Sequence, residues 1–124
     1  MRIIIAVYLF IHGVCHLVGF IVPWKIAVLK EEPYKTSLLM GAMDIGDIGI
    51  RIIGVLWLIT AVAYFAGAVG SFAQYPWWRP LVLYLSIFSL SLCVLGLPGA
   101  KIGILANAVI LVYLIAGEKL GLVK

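Results

Sequence analysis

The chain has 124 residues, of which 65% are hydrophobic and 11% charged, with a formal net charge of +4. A water-soluble domain carries about 45–50% apolar and about 25% charged residues, and a chain this short cannot bury so much apolar surface in a core of its own. The composition therefore excludes an ordinary soluble domain. The basic residues are scattered rather than clustered, so it also excludes nucleic acid as a partner and favours a lipid bilayer.

Charge-free runs cover Ile3–Trp24, Ile52–Trp78, Pro80–Ala100 and Ile102–Gly117. A spanning helix needs roughly 20 apolar residues. The first three runs satisfy this, and the fourth does so with Lys101 and Lys119 reaching to the interface from its ends. The expected fold class is all-α, a four-transmembrane-helix bundle in one domain over 1–124. Both termini then share a side, and no sheet is expected.

Helix 1 runs from about Ile3 to Val22 and stops at Pro23. The Arg2-led apolar run is too long for a signal peptide and lacks a small-x-small cleavage site, so it reads as a retained helix. Lys25 to Lys35 is the longest polar stretch. From Leu38 to Gly70 there is no proline, and one straight helix of that length would reach about 50 Å against a hydrocarbon core of about 30 Å. A break is expected among Gly41, Gly46 and Gly49. The reading is a short interfacial helix from Leu38 to Asp44, then helix 2 from about Ile48 to Val69. Tyr75, Trp77 and Trp78 beside Arg79 read as an interfacial belt. Helix 3 runs from about Leu81 to Leu97, Pro98-Gly99 makes a turn, and helix 4 runs from about Lys101 to Gly117. The basic residues divide four against five between the two sides, which fixes no orientation.

The only histidines, His12 and His16, lie inside the first span. Ionisable groups at that depth are costly and commonly face a cavity or a bundle interior. Helical spacing puts Tyr8, His12, Cys15, His16 and Gly19 on one stripe. Ser86, Ser89, Cys93 and Gly96 align on helix 3, and Gly103 and Asn107 on helix 4. Asp44, Asp47 and Arg51 share a stripe if helix 2 extends across the glycines, with Asp47 and Arg51 at ion-pair spacing. Antiparallel packing brings His16, Asp47, Arg51, Cys93 and Asn107 to one half of the membrane, with His12 just deeper. The expectation is one polar pocket opening towards Lys25–Lys35, with Tyr8, His12, His16, Asp47, Arg51, Cys93 and Asn107 as its ligand-binding residues.

Each feature has a plainer reading. The histidines either hydrogen-bond across helices, or hold a metal as a His12–His16 pair, or take up protons and contact a substrate. Asp47 and Arg51 neutralise one another, and the cysteines fill space. His12-Gly13-Val14-Cys15-His16 lacks the second cysteine of a c-type haem motif. No nucleophile–base arrangement or phosphate loop is present, so the sequence does not say whether the chain is an enzyme.

The opening Arg2-Ile-Ile-Ile-Ala-Val-Tyr-Leu-Phe-Ile-His12-Gly13, with Leu17-Val-Gly19-Phe20, resembles the first helix of DoxX-like small membrane proteins. It also resembles relatives that carry His-Gly-x-x-His-Leu-x-Gly-Phe. Arg51-Ile-Ile-Gly54-Val-Leu-Trp57 and Gly103-Ile-Leu-Ala-Asn107-Ala-Val-Ile-Leu111 fit that second group. The resemblance implies a four-helix membrane bundle linked to membrane redox and sulfur metabolism, often as a partner subunit. It carries over no catalytic residue. The functional expectation is a multi-pass protein of the cell membrane that binds a small lipophilic molecule or a metal ion, within a homo-oligomer or a larger membrane complex. The alternatives are a small four-helix transporter, without the first-helix glutamate of the small multidrug-resistance transporters, and a purely structural subunit.

Overall fold

The computed structural model describes residues 2–27, 34–96 and 101–119. Four helices make up the bundle: α1 (Arg2–Ile21), α2 (Gly46–Ala73), α3 (Trp78–Leu95) and α4 (Lys101–Lys119). Their order is the expected one. Leu97, the Pro98-Gly99 turn and Lys30 lie outside the described residues. Helices α1, α2 and α3 are long and apolar enough to cross a membrane, whereas the apolar part of α4, Lys101–Gly117, is shorter.

The pattern of exposure is that of a membrane protein. Ile3, Ile52, Ile59, Tyr84, Ile102 and Val112 are each more than half exposed, while Thr60, Ser71, Ser86, Ser89 and Asn107 are fully buried. Water would drive the reverse arrangement. In lipid the outward apolar side chains cost nothing, and polar groups gather where they find partners.

Between α1 and α2 the structure departs from the interfacial helix expected over Leu38–Asp44. Ser37–Leu38 (β1) pairs antiparallel with Met43–Asp44 (β2), so a small two-stranded hairpin stands where no sheet was expected. The reason lies in the backbone. Leu39, Met40 and Gly41 all take positive φ, which no right-handed helix accommodates. The Leu39 N–H donates to the Leu95 carbonyl at 2.8 Å, and the Ile45 N–H to the Thr36 carbonyl at 2.9 Å. The segment thus closes the open end of α3 instead of its own helical turn. The expected break among the glycines is present, with Gly41 at φ +90° and Gly46 at φ +72°.

Helix α2 starts immediately after this break. Asp44 lies before the helix, not on its stripe. Its Oδ1 accepts from the Gly46 N–H at 3.0 Å and from the Thr36 hydroxyl at 2.9 Å. These bonds hold its carboxyl below the usual carboxylate range. Helix α2 has 28 residues and is therefore about 42 Å long, which exceeds a bilayer core. Pro23 and Trp24 fold back onto it at Gly54, and the Trp24 indole N–H donates to the Arg51 carbonyl at 2.9 Å.

The apolar core joins Leu9 of α1, Tyr64 and Ala68 of α2, Trp78 and Val82 of α3, and Ile110 and Leu114 of α4. Close approach requires glycine at two places. A Cβ on Gly13 would lie 3.1 Å from the Ala61 carbonyl oxygen, and one on Gly103 would lie 2.7 Å from Cys93 Sγ. The first lets α1 rest on α2, and the second seats α4 against α3.

Candidate functional site

All four helices contribute to one buried polar cluster. Asn107 of α4 is its centre and has no exposed surface. Its Nδ2 donates to the Gly103 carbonyl at 2.9 Å, one turn back. A carbonyl oxygen only accepts, so this contact fixes the orientation of the carboxamide. Nδ2 also reaches Ser89 Oγ at 3.0 Å and Cys93 Sγ at 3.6 Å, both on α3. Oδ1 then faces the other way and accepts from the Tyr64 hydroxyl of α2 at 2.8 Å. It also lies 3.1 Å from His12 Nε2 of α1.

These directions set the histidine tautomers. Asn107 Oδ1 can only accept, so His12 carries its proton on Nε2, and its Nδ1 holds a lone pair when the ring is neutral. His16 Nδ1 lies 2.8 Å from the His12 carbonyl oxygen and must donate to it. His16 Nε2 is left as an acceptor and lies 2.5 Å from Ser89 Oγ, which donates. Tyr64 gives its one proton to Asn107, so Ser86 Oγ, 3.0 Å away, donates to the phenol oxygen. Every bond in the cluster is satisfied with neutral rings. No buried side-chain nitrogen or oxygen among the described residues lacks a partner.

Aromatic rings close around it. His16 is 2% exposed, with the rings of His12, Trp57 and Tyr64 centred 4.5, 5.0 and 5.2 Å away. Tyr8 stands one turn before His12, its ring centred 6.3 Å from the imidazole, and donates its hydroxyl to the Ala106 carbonyl at 3.0 Å. The Tyr8 and His12 bonds tie α1 to α4. Backbone packing there is slight, since α1 rests chiefly on α2.

The expected site residues thus separate. Tyr8, His12, His16, Cys93 and Asn107 come together, whereas Asp47 and Arg51 make their contacts elsewhere and no ion pair joins them. Asp47 accepts from the Tyr34 hydroxyl, which holds that phenol above the usual tyrosine range. The Arg51 guanidinium lies over the Trp24 ring, 5.6 Å from its centre, and Lys25 Nζ lies 4.7 Å from the Tyr34 ring centre. These belong to the end of the bundle next to the hairpin. Cys15 is exposed and takes no part. Tyr64 is the member that the sequence reading missed. Its signal was a phenol deep inside a span rather than in an interfacial belt.

The histidines do not fit a metal as they stand. Both nitrogens of His16 and one of His12 are engaged in hydrogen bonds, so coordination would break contacts within the cluster. No group of three or more His, Cys, Asp or Glu gathers among the described residues.

Among the described residues the polar groups of the cluster bond to one another across the space between the helices. A cavity of about 150 Å³ lies further towards the start of α1. Ile4, Ile5, Tyr8 and Leu9 of α1, Trp78 and Val82 of α3, and Val109, Ile110, Tyr113 and Leu114 of α4 surround it. Tyr8 is the shared wall between cavity and cluster.

No family model, curated protein or solved structure matches the chain, so the fold and the cluster stand on their own geometry: a four-helix chain with three membrane-span candidates around a buried histidine network.

Proposed function

We propose that this protein is a multi-pass component of the cell membrane that binds a small lipophilic molecule between α1, α3 and α4. The observation that carries this reading is the apolar cavity beside Tyr8, backed by a polar cluster with no internal vacancy. In this reading His12, His16, Asn107, Ser89 and Tyr64 are scaffold, and Tyr8 belongs to the wall that meets the ligand. The test uses purified protein in mild detergent. Toluene should bind saturably to the wild type, and Ile110→Phe, which fills the cavity, should abolish that binding. Linear, non-saturable uptake by the wild type would reject the reading.

The complete hydrogen bonding of the cluster also favours a second reading, a structural subunit whose polar core serves assembly alone. The resemblance to DoxX-like proteins adds a narrower form of either reading, membership of a membrane redox complex. Co-purification with a redox partner from mildly solubilised membranes tests it.

A further inference from the structure

The cavity beside Tyr8 opens sideways. Its floor is buried and consists of Leu9, Trp78, Val82, Ile110 and Leu114. Its rim is not, since Ile4 on α1 is 67% exposed and Val109 on α4 is 50% exposed. The backbones of these two helices scarcely pack together. The opening therefore lies on the lipid face of the α1–α4 seam, and the bond from the Tyr8 hydroxyl to the Ala106 carbonyl crosses that seam at the inner end. The outer end lies near the membrane surface. Ile4 stands in the first turn of α1, Trp78 begins α3, and Leu114 stands in the last two turns of α4. Just before Trp78 the exposed rings of Tyr75 and Trp77 stack with their centres 5.6 Å apart, which marks the headgroup level. Arg79 follows Trp78, and Lys119 lies five residues beyond Leu114. No described side chain bonds to either. Arg2 opens α1 at the same end, and Glu118 is the one acid near them in the sequence.

We infer that the ligand is a membrane lipid with an anionic headgroup, one acyl chain entering between α1 and α4 and the phosphate resting at Arg79 and Lys119. This rests on the reading of the cavity as a ligand site. A void of about 150 Å³ holds a benzene-sized body, hence about six carbons of a chain. The remainder of the lipid stays in the bilayer, which a lateral opening permits and a sealed cavity would not. The lining is entirely apolar and offers no polar contact by which to tell one chain from another. Discrimination therefore falls to the cations at the surface, which favour a negative headgroup over a neutral one.

The test places the wild-type protein in phosphatidylcholine nanodiscs and exchanges a rising fraction of the lipid for phosphatidylglycerol with the same acyl chains. The Trp78 indole resonance, on the buried floor, reports entry. It should shift saturably, with a preference of about fivefold for phosphatidylglycerol, the worth of one cation near a membrane surface. Arg79→Gln combined with Lys119→Gln should remove the preference, and inorganic phosphate should leave the resonance in place. Ile110→Phe should abolish the shift, and Val109→Trp at the exposed rim blocks the opening where Ile110→Phe does not fold. Equal response to the two lipids, a preference that survives the double variant, a response to inorganic phosphate, or a shift that survives blocking of the cavity would each overturn the lipid assignment. In those cases saturable toluene binding keeps the cavity as a site for another lipophile. Absence of toluene binding removes the site and the lipid together.

Discussion

Asn107 Oδ1 lies 3.1 Å from His12 Nε2, so a residue of α4 determines which nitrogen of a histidine on α1 carries the proton. The carbonyl of Gly103 makes this possible by fixing the carboxamide that faces the ring. One side chain thereby sets the polarity of bonds reaching all four helices.

Replacing Asn107 with leucine should be the most damaging substitution in the cluster. It removes the acceptor of His12 and Tyr64 and the donor to Ser89 together. Interhelical bonds in membranes contribute about 0.6 kcal/mol each on average and up to about 1.7. The expected loss is therefore about 2–4 kcal/mol, read from unfolding in mixed detergent micelles. Stability within about 0.5 kcal/mol of wild type would remove Asn107 from the centre of the bundle.

Tyr64→Phe keeps the ring and deletes only the hydroxyl, which joins Ser86 to Asn107. A loss of about 1–2 kcal/mol is expected. A double-mutant cycle with Ser86→Ala should give a coupling of about 0.5 kcal/mol or more. Strict additivity would mean that the Ser86–Tyr64 contact does not form.

Gly103→Ala places a methyl group 2.7 Å from Cys93 Sγ and should separate α3 from α4. Cys93→Ala, itself mild, should restore part of the lost melting temperature in the double variant. Failure of that rescue would show that Gly103 matters for some reason other than its fit against the thiol.

The i, i+4 spacing of Asp47 and Arg51 permits an ion pair between them. The partners observed are Tyr34 for Asp47 and the Trp24 ring for Arg51. Coupling is now expected between Asp47 and Tyr34 and not between Asp47 and Arg51. Asp47→Asn should bring the Tyr34 phenol down towards its ordinary range, since the carboxylate bond is the main cause of its rise. Tyrosine ring-carbon resonances followed against pH would show this, and an unchanged Tyr34 titration would count against the contact.

Asp44 supplies the pH dependence of the hairpin junction. Its carboxyl is held below 3.8, so the folded state binds fewer protons than the unfolded chain in that range. The stabilisation is present above the ordinary carboxylate value and is lost as pH falls through the depressed one. Amide exchange at Gly46 should accelerate on acidification beyond the intrinsic trend. Asp44→Ala should exchange fast at every pH.

Part of this was legible in the sequence. His12 and His16 stand out because they are the only histidines in the chain and no charged residue lies between Ile3 and Trp24, and helical spacing alone puts them on one face with Tyr8. Asn107 is the one carboxamide in its apolar run, and Ser86, Ser89 and Cys93 share a stripe, so their burial follows from the same periodicity. Tyr64 was hidden because a phenol is polar only at its tip and counts as apolar in any run. The hairpin was hidden because Leu39 and Met40 take positive φ, which their residue types do not signal, and because the Leu39 N–H bonds to Leu95, far away in the sequence. Asp47 and Arg51 misled because i, i+4 spacing permits an ion pair without requiring one, and Tyr34 and Trp24 compete from outside the helix.

The most direct test is nitrogen NMR of the two histidine rings in the purified protein. Neutral His12 is expected to carry its proton on Nε2 and His16 on Nδ1, two opposite tautomers one helical turn apart. Asn107→Leu should release the His12 preference and leave the His16 Nδ1–H bond to the His12 carbonyl. Finding the same tautomer in both rings of the wild type, or a metal on either, would contradict a closed hydrogen-bonded cluster directed by Asn107.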